Sequence, residues 1–217
     1  METPLIPSLD IPVRTIYCIG RNYARHATEL GNEVPDKPLI FLKPLGTICY
    51  DQDTVYLPEQ SNDVHFEAEV VVALSKTGKN ISVESALEYI GGYGIGIDFT
   101  ARDIQQISKQ KGHPWSVAKG FDTFAPISAF ITPSEIEDPK NMDIKLFQNG
   151  FVKQHGNVSE MIFSVPELIN HLSGIFTLHP GDLIFTGTPE GVGPVTKGDK
   201  LEVLLNNGLK SLTVNIG

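Results

Sequence analysis

The chain has 217 residues, of which 41% are hydrophobic and 20% are charged, as in an ordinary globular protein. We expect a single domain over residues 1–217. A formal net charge of -9 argues against nucleic acid and anionic membrane surfaces as partners. Because no apolar stretch approaches the roughly 20 residues of a membrane helix and the start shows no signal pattern, we expect a cytoplasmic protein.

Strands dominate the predicted secondary structure. In chain order, the strand candidates are residues 15–19, 39–42, 67–74, 93–97, 124–129, 143–148, 182–185, 201–205 and 209–216. The last two flank Asn206, Asn207 and Gly208, which predict a hairpin turn because these residues tolerate a positive φ.

Predicted helices are few and short. They cover residues 23–30 after the cap Asn22 and before Gly31, residues 83–90, residues 100–111 before Gly112, and residues 164–172 after the cap Ser164. No GxGxxG follows the first strand, which disfavours a doubly wound sheet. The prediction is a mainly β fold of the α+β class with peripheral helices.

The stretch HFEAEVVVAL, residues 65–74, places Glu67 and Glu69 on one face of a strand if the strand is continuous. Beyond Glu69 both faces are apolar, which indicates a strand buried on both sides. Two like charges at the edge of such a strand are costly unless a cation lies between them.

A third acid, Asp98, follows the glycine-rich run GGYGIGI. Three carboxylates without a nearby cysteine suit a hard divalent cation, Mg²⁺ first and Mn²⁺ or Ca²⁺ next. From the carboxylates alone, there is an alternative without a metal. In it, Glu67 and Glu69 lie on a solvated strand face and Asp98 caps a helix.

Other candidate site residues lie in short polar motifs. His26 and Glu29 share one face of the first predicted helix, where a carboxylate can orient an imidazole that activates water; a routine surface pair has the same spacing. Lys119, among apolar neighbours, is either a semi-buried group that stabilises negative charge or a surface lysine. Arg21 can bind a carboxylate, and Thr188 in FTGTPEGVGPV can bind a small anion.

Taken together and in order, these motifs resemble the fumarylacetoacetate hydrolase family. The resemblance rests on YCIGRNYARHATELG, PLIFLKP, HFEAEVVVAL, GGYGIGIDFTARDIQ, PWSVAKGFDTFAPIS, MIF and FTGTPEGVGPV, from about Tyr17 to Val203. The chain is similar to the short, single-domain branch with acylpyruvate hydrolases and oxaloacetate-acting members.

The resemblance implies the family's mixed β-sandwich roll, assembled as a homodimer. It implies that Glu67, Glu69 and Asp98 hold Mg²⁺ or Mn²⁺. It also implies substrate contacts for Arg21, Lys119 and Thr188, a water-activating pair in His26 and Glu29, and a pocket position for Gln105.

The expected activity is hydrolysis of the C–C bond of acylpyruvates, which are 2,4-dioxo acids, to pyruvate and a carboxylic acid. The alternatives in the same site are oxaloacetate decarboxylation, oxaloacetate tautomerisation, and decarboxylation or isomerisation of 2-oxo acids from aromatic degradation. Hydrolysis and decarboxylation both leave pyruvate enolate, whereas tautomerisation needs only proton transfer. Because these activities share one site, the motifs separate them poorly. A binding module without catalysis is disfavoured, because it has no use for His26 and Glu29 together.

Overall fold

The computed structural model describes residues 3–29 and 34–217, and β-strands account for most of its regular structure. The strands in the first half of the described chain are β1 Leu5–Ile6, β2 Ile11–Pro12, β3 Ile16–Gly20, β4 Leu39–Lys43, β5 Ile48–Tyr50, β6 Thr54–Val55, β7 Val64–Phe66, β8 Ala68–Leu74 and β9 Ile90–Ile97. Those in the second half are β10 Thr100–Ala101, β11 Ala125–Ile127, β12 Asp143–Gln148, β13 Phe151–Asn157, β14 Leu183–Phe185, β15 Gly193–Pro194, β16 Lys200–Leu205 and β17 Lys210–Ile216.

The α-helices of the described residues are short and lie between the strands. They are α1 Ala24–Glu29, α2 Arg102–Lys111, α3 Ser116–Lys119 and α4 Val165–Ile175. Single 3₁₀ turns are Leu45–Thr47, Ala86–Tyr89, Pro133–Glu135, Val158–Glu160 and Asn206–Gly208. None of the described helices is long and apolar enough to span a membrane.

Two large sheets carry the fold. The first has seven strands in the order β4-β3-β14-β8-β9-β11-β5, and the second has five in the order β13-β12-β16-β17-β6. Every residue of β8 is buried. Val70 and Val72 belong to the main core together with Val203 and Val214 of the second sheet, whereas Val71 belongs to a separate apolar cluster on the opposite face. The central strand is therefore covered on both sides, as its apolar run predicts.

Antiparallel pairing of β8 with β9 brings the residues of the candidate site to one edge of the sheet. Ala68 at the beginning of β8 is paired with Ile97 at the end of β9. The residues that precede Ala68 and follow Ile97 therefore leave the sheet at the same edge. Gly94 and Gly96 in β9 allow close approach of core rings, because a Cβ at Gly96 would lie 2.4 Å from Cε1 of Phe185 and one at Gly94 would lie 2.7 Å from Cε2 of Phe130.

Most predicted elements are confirmed with small shifts of their ends. The hairpin of β16 and β17 turns through Asn206, Asn207 and Gly208, all with positive φ. Gly112 ends α2 with φ of 67°. The predicted helix over residues 83–90 is wrong, since only the 3₁₀ turn Ala86–Tyr89 forms before β9 begins.

Some elements were not predicted from the sequence, and one predicted helix end lies outside the described residues. Strand β13 and helix α3 were not predicted, because β13 alternates poorly and α3 spans a single turn. The predicted end of the first helix at Leu30 and Gly31 lies outside the described residues. The single-domain organisation stays a prediction.

Candidate active site

Three carboxylates converge where β8 begins and β9 ends. Glu67, Glu69 and Asp98 are buried, and each offers a ligand oxygen within 4.8 Å of the others. The prediction of a continuous strand through Glu67 is wrong, because Glu67 lies in a break between β7 and β8. Its carbonyl accepts a hydrogen bond of 2.8 Å from the Asp98 amide, which ties the two ends together.

Lys119 bridges two of the acids. Its Nζ lies 2.9 Å from Oε2 of Glu67 and 2.5 Å from Oδ2 of Asp98, and the side chain is 2% exposed. Burial lowers the pKa of the Lys119 ammonium, but the Asp98 and Glu67 carboxylates outweigh burial and raise the pKa above its ordinary value. An ammonium has three N–H donors, and the described residues accept two of them. The third has no oxygen acceptor among the described residues, and Nζ lies 4.9 Å from the centroid of the Phe41 ring.

Lys43, in the PLIFLKP motif, is a second buried lysine, and its sequence context gave no indication of a role. Its Nζ donates to the carbonyls of Phe99, Lys119 and Phe124 at 3.0, 2.6 and 3.0 Å. It also lies 2.7 Å from Oδ1 of Asp98. Its three donors are thus used by the protein itself, and we assign Lys43 to holding Asp98 and α3 in place.

Arg102 and Thr100 complete the surroundings of Glu67, and neither was predicted from sequence. Nη2 of Arg102 donates to Oε1 of Glu67 at 2.6 Å, and the Thr100 hydroxyl donates to the same oxygen at 3.0 Å. Burial raises the pKa of Glu67, but the charges of Lys119 and Arg102 outweigh it and hold this pKa well below its usual range. Glu67 is therefore a carboxylate anion at neutral pH.

Glu69 has the least compensated charge of the three acids. Its Oε2 accepts a hydrogen bond of 2.7 Å from the Gly187 amide, and no ion pair to it is present within residues 3–29 and 34–217. Burial and the charges of Asp98 and Glu67 raise the pKa of Glu69 well above its ordinary value. Such a group is costly as an anion unless a further cation lies beside it.

The donor set fits a divalent cation. Three oxygen ligands without sulfur suit Mg²⁺ or Mn²⁺. Oδ1 of Asp98 is buried and accepts no hydrogen bond of acceptable geometry, although Lys43 is near enough for an ion pair. Together with the uncompensated charge of Glu69, this oxygen is available as a ligand. The predicted assignment of these three residues to a metal stays a prediction that the geometry permits.

His26 and Glu29 are neighbours on α1, but they are not hydrogen-bonded. Nδ1 of His26 lies 3.5 Å from Oε2 of Glu29, and this buried nitrogen has no hydrogen-bond partner among the described residues. Both oxygens of Glu29 accept instead from the Gly191 amide at 3.2 Å. Burial lowers the pKa of His26, so the imidazole is neutral at pH 7 and able to accept a proton.

A cavity of about 30 Å³ has Glu67 in its wall and brings four further predicted residues together. Arg21, His26, Gln105 and Lys119 line it along with Glu67. Arg21 occupies the corner between β3 and α1 with φ of 59°, a conformation that is uncommon outside glycine and asparagine. Larger surface depressions occur elsewhere, such as one of about 610 Å³ beside α4, but it contains no comparable group of buried acids and lysines among the described residues.

Thr188 is buried near the acids but is engaged with the protein. Its hydroxyl donates to the Ala68 carbonyl and accepts from Nε2 of Gln154, both at 2.8 Å. It is not among the described residues that line the cavity. Its predicted contact with substrate stays a prediction.

Gln154 is a further residue that sequence reasoning missed. It is 1% exposed on the edge strand β13. Its Oε1 accepts from the Ala68 amide at 2.9 Å, while Nε2 donates to Thr188 and to the Pro189 carbonyl. One side chain thus connects the residue between the two glutamates to the 187–191 loop. A buried glutamine in a strand that alternates poorly offered no clear signal in the sequence.

Residues 15–216 match the family model of the fumarylacetoacetate hydrolase C-terminal domain. The chain belongs to the fumarylacetoacetate hydrolase family. It is 46% identical over 190 residues to the mitochondrial oxaloacetate decarboxylase of Dictyostelium discoideum, covering 87% of each chain. It is 43% identical over 201 residues to the mitochondrial oxaloacetate tautomerase FAHD1 of Arabidopsis thaliana, covering 93% of this chain and 90% of the other.

Among solved structures, the fold is similar to fumarylpyruvate hydrolase of Pseudomonas aeruginosa in complex with Mn²⁺ and pyruvate. The TM-score is 0.92 at 36% identity, and the match covers 100% of this chain and 98% of that one. The predicted family and the predicted mainly β fold of the fumarylacetoacetate hydrolase type are confirmed. The two relatives described above are named mitochondrial, and the expected cytoplasmic location of this protein stays a prediction.

Proposed function

We propose that this chain is a metal-dependent enzyme that hydrolyses the C–C bond of 2,4-dioxo acids to pyruvate and a carboxylic acid. The observation that supports this proposal most directly is the buried group of Glu67, Glu69 and Asp98. Lys119 bridges Glu67 and Asp98, and Glu67 lines a cavity together with Lys119 and His26. The similar structure with Mn²⁺ and pyruvate supports the same chemistry.

Glu67, Glu69 and Asp98 would hold Mg²⁺ or Mn²⁺, with Ca²⁺ as a weaker candidate. Such an ion polarises the carboxylate and keto oxygens of a bound 2-oxo acid. The ion also offsets the charge of Glu69, for which the described residues provide no cationic partner.

Side chains of the protein bind the substrate, transfer the proton and stabilise the enolate. Arg21 binds the C1 carboxylate of the substrate, and Gln105 lines the same wall. His26 accepts a proton from water, and the resulting hydroxide adds to the C4 carbonyl. The C3–C4 bond then breaks, and its electron pair passes to the pyruvate fragment as an enolate. The free N–H of Lys119 stabilises the enolate oxygen, and protonation at C3 yields pyruvate while the other fragment leaves as a carboxylic acid.

A second candidate is decarboxylation or tautomerisation of oxaloacetate in the same site. The specific observation in its favour is that Nδ1 of His26 has no hydrogen-bond partner among the described residues, since Glu29 accepts from the Gly191 amide instead. The water-activating pair is thus incompletely assembled. Decarboxylation also generates pyruvate enolate and needs Lys119, but it needs no activated water.

The ratio of acetylpyruvate cleavage to oxaloacetate decarboxylation separates the two candidates. Because a general base contributes about 10²-fold or more, His26→Ala should reduce cleavage by at least that factor and reduce decarboxylation much less. Lys119→Ala should reduce both rates. His155→Ala, at an exposed histidine paired with Asp143, serves as the control. If both rates fall equally in His26→Ala, water activation by His26 is wrong and the second candidate is preferred.

We also propose that the enzyme is a homodimer, since closed two-fold symmetry is the commonest arrangement of soluble oligomers. The small molecule that this enzyme binds as substrate is a 2-oxo or 2,4-dioxo acid. Light scattering should give a mass near twice the 23.8 kDa of the chain. A mass of one chain at micromolar concentration would contradict the dimer.

A further inference from the structure

The wall of the active-site cavity is rich in cations. Of the described residues that line it, Arg21, Arg102, Lys109 and Lys119 are cationic, and Glu67 is the one carboxylate. This composition contrasts with the net charge of -9 for the whole chain. A local group of positive charges in an acidic protein focuses binding on anions.

The four cations differ in their partners. Arg102 and Lys119 are both ion-paired with Glu67. Arg21 and Lys109 form no ion pair with any carboxylate within residues 3–29 and 34–217. Two positive charges at this wall are therefore not compensated by the described part of the protein.

Helix α2 places Lys109 in the same cavity wall as Arg102 and Gln105. Arg102, Gln105 and Lys109 have the spacing i, i+3 and i+7, which places them on one helix face, and all three line the cavity. Lys109 also lines the adjoining surface groove of about 760 Å³. Arg21 lines both the cavity and this groove as well. At a rise of about 1.5 Å per residue, Lys109 lies about 10 Å along the helix from Arg102, and it is Arg102 that contacts Glu67.

The ammonium of Lys109 has a defined position. Although the residue as a whole is exposed, Nζ lies over the ring of Trp115, 5.5 Å from its centroid. Partial desolvation and the nearby charges of Arg102 and Arg21 lower the pKa of Lys109. Neighbouring like charges raise the energy of the cationic wall, and a bound anion would relieve that repulsion.

We propose that Lys109 binds a second, distal carboxylate of the substrate, so that the site selects dicarboxylic 2-oxo acids over monocarboxylic ones. The proposal rests on the proposed function, in which Arg21 holds the C1 carboxylate. A substrate with one carboxylate compensates one of the two unpaired cations, whereas a substrate with two carboxylates compensates both. The distal carboxylate is remote from the bond that breaks, so its contact contributes to binding more than to the chemical step.

The test compares fumarylpyruvate with crotonylpyruvate, in which a methyl group replaces the distal carboxylate. For a partly exposed charged contact, Lys109→Gln should lower kcat/KM for fumarylpyruvate about three- to fivefold, mainly through KM. The same variant should change crotonylpyruvate less than twofold. Lys109→Arg keeps the charge and should retain the preference for the diacid.

Lys111→Gln is the matched control, because Lys111 is exposed on the same helix and is not among the described residues that line the cavity. It should leave both substrates within twofold of wild type. Equal losses for both substrates in Lys109→Gln, or no loss for either, would overturn the proposal. If the wild-type protein cleaves neither acid, the proposed hydrolysis fails, and calorimetric binding of the same two acids to wild type and Lys109→Gln then decides the role of Lys109.

Discussion

Replacement of Gln154 by leucine tests whether one side chain on an edge strand holds the proposed metal ligands in position. Gln154 makes three hydrogen bonds, to the Ala68 amide, the Thr188 hydroxyl and the Pro189 carbonyl. Ala68 separates Glu67 from Glu69 in the sequence, so a shift of its amide moves both carboxylates. Leucine is similar in size to glutamine but cannot form any of these bonds.

The expected loss of stability follows from the three bonds. Each contributes about 1 kcal/mol net, and leaving a buried amide unpaired costs about 1–3 kcal/mol. We therefore expect Gln154→Leu to lower the free energy of unfolding by about 2–4 kcal/mol. Since domains have about 5–15 kcal/mol of stability, the variant should remain folded and measurable. The disturbed ligand geometry should weaken Mn²⁺ binding about tenfold or more.

Urea denaturation measures the stability, and titration calorimetry measures the Mn²⁺ affinity. Lys153→Met is the control, because Lys153 is exposed on the same strand and none of its side-chain atoms forms a hydrogen bond within the described residues. If Gln154→Leu loses stability but binds Mn²⁺ with wild-type affinity, Gln154 supports the fold alone and the reasoning about the ligands is refuted.

Three further predictions concern the acids, the buried lysine and the histidine. Glu69→Gln and Asp98→Asn should each weaken Mn²⁺ binding tenfold or more in titration calorimetry, and full activity of either variant after EDTA treatment would exclude a metal at these residues. Lys43→Met removes one of the two lysines paired with Asp98 and leaves three carbonyls without their donor, so unfolding in urea should show a loss of about 3–5 kcal/mol; a loss below about 1 kcal/mol contradicts the assigned role. Because burial lowers the pKa of His26, this base stays neutral below its ordinary pKa of about 6.5. The acidic limb of kcat/KM for acetylpyruvate should therefore lie below pH 6.5, and a limb above that value would exclude His26 as its source.

The residue pattern alone determined most of the longer strands and helices and the chemistry of the candidate ligands. The apolar run after Glu69 predicts a strand that is covered on both sides, and Asn206-Asn207-Gly208 predicts the hairpin; the structure contains both. These features depend on neighbouring residues, because alternation and turn conformations are local properties of the chain. The order of the motifs was sufficient to recognise the family.

Local patterns were insufficient wherever the structure depends on residues far apart in the chain. The break at Glu67 was missed because it depends on pairing of β7 with β10 and of β8 with β9. The roles of the two buried lysines likewise depend on which oxygens surround them after folding. Lys43 is surrounded by three carbonyls, whereas Lys119 retains a donor for the cavity.

The charge balance of the site was decided by tertiary structure as well. From the sequence, Lys109 is one of several basic residues on a surface helix. In the folded chain, Arg102 and Lys119 pair with Glu67, while Lys109 and Arg21 face the cavity without a carboxylate partner among the described residues. Sequence spacing places residues on a helix face, but only the packing of that helix against β7 and α3 determines which charges meet, because electrostatic energies depend on distance in space and on burial.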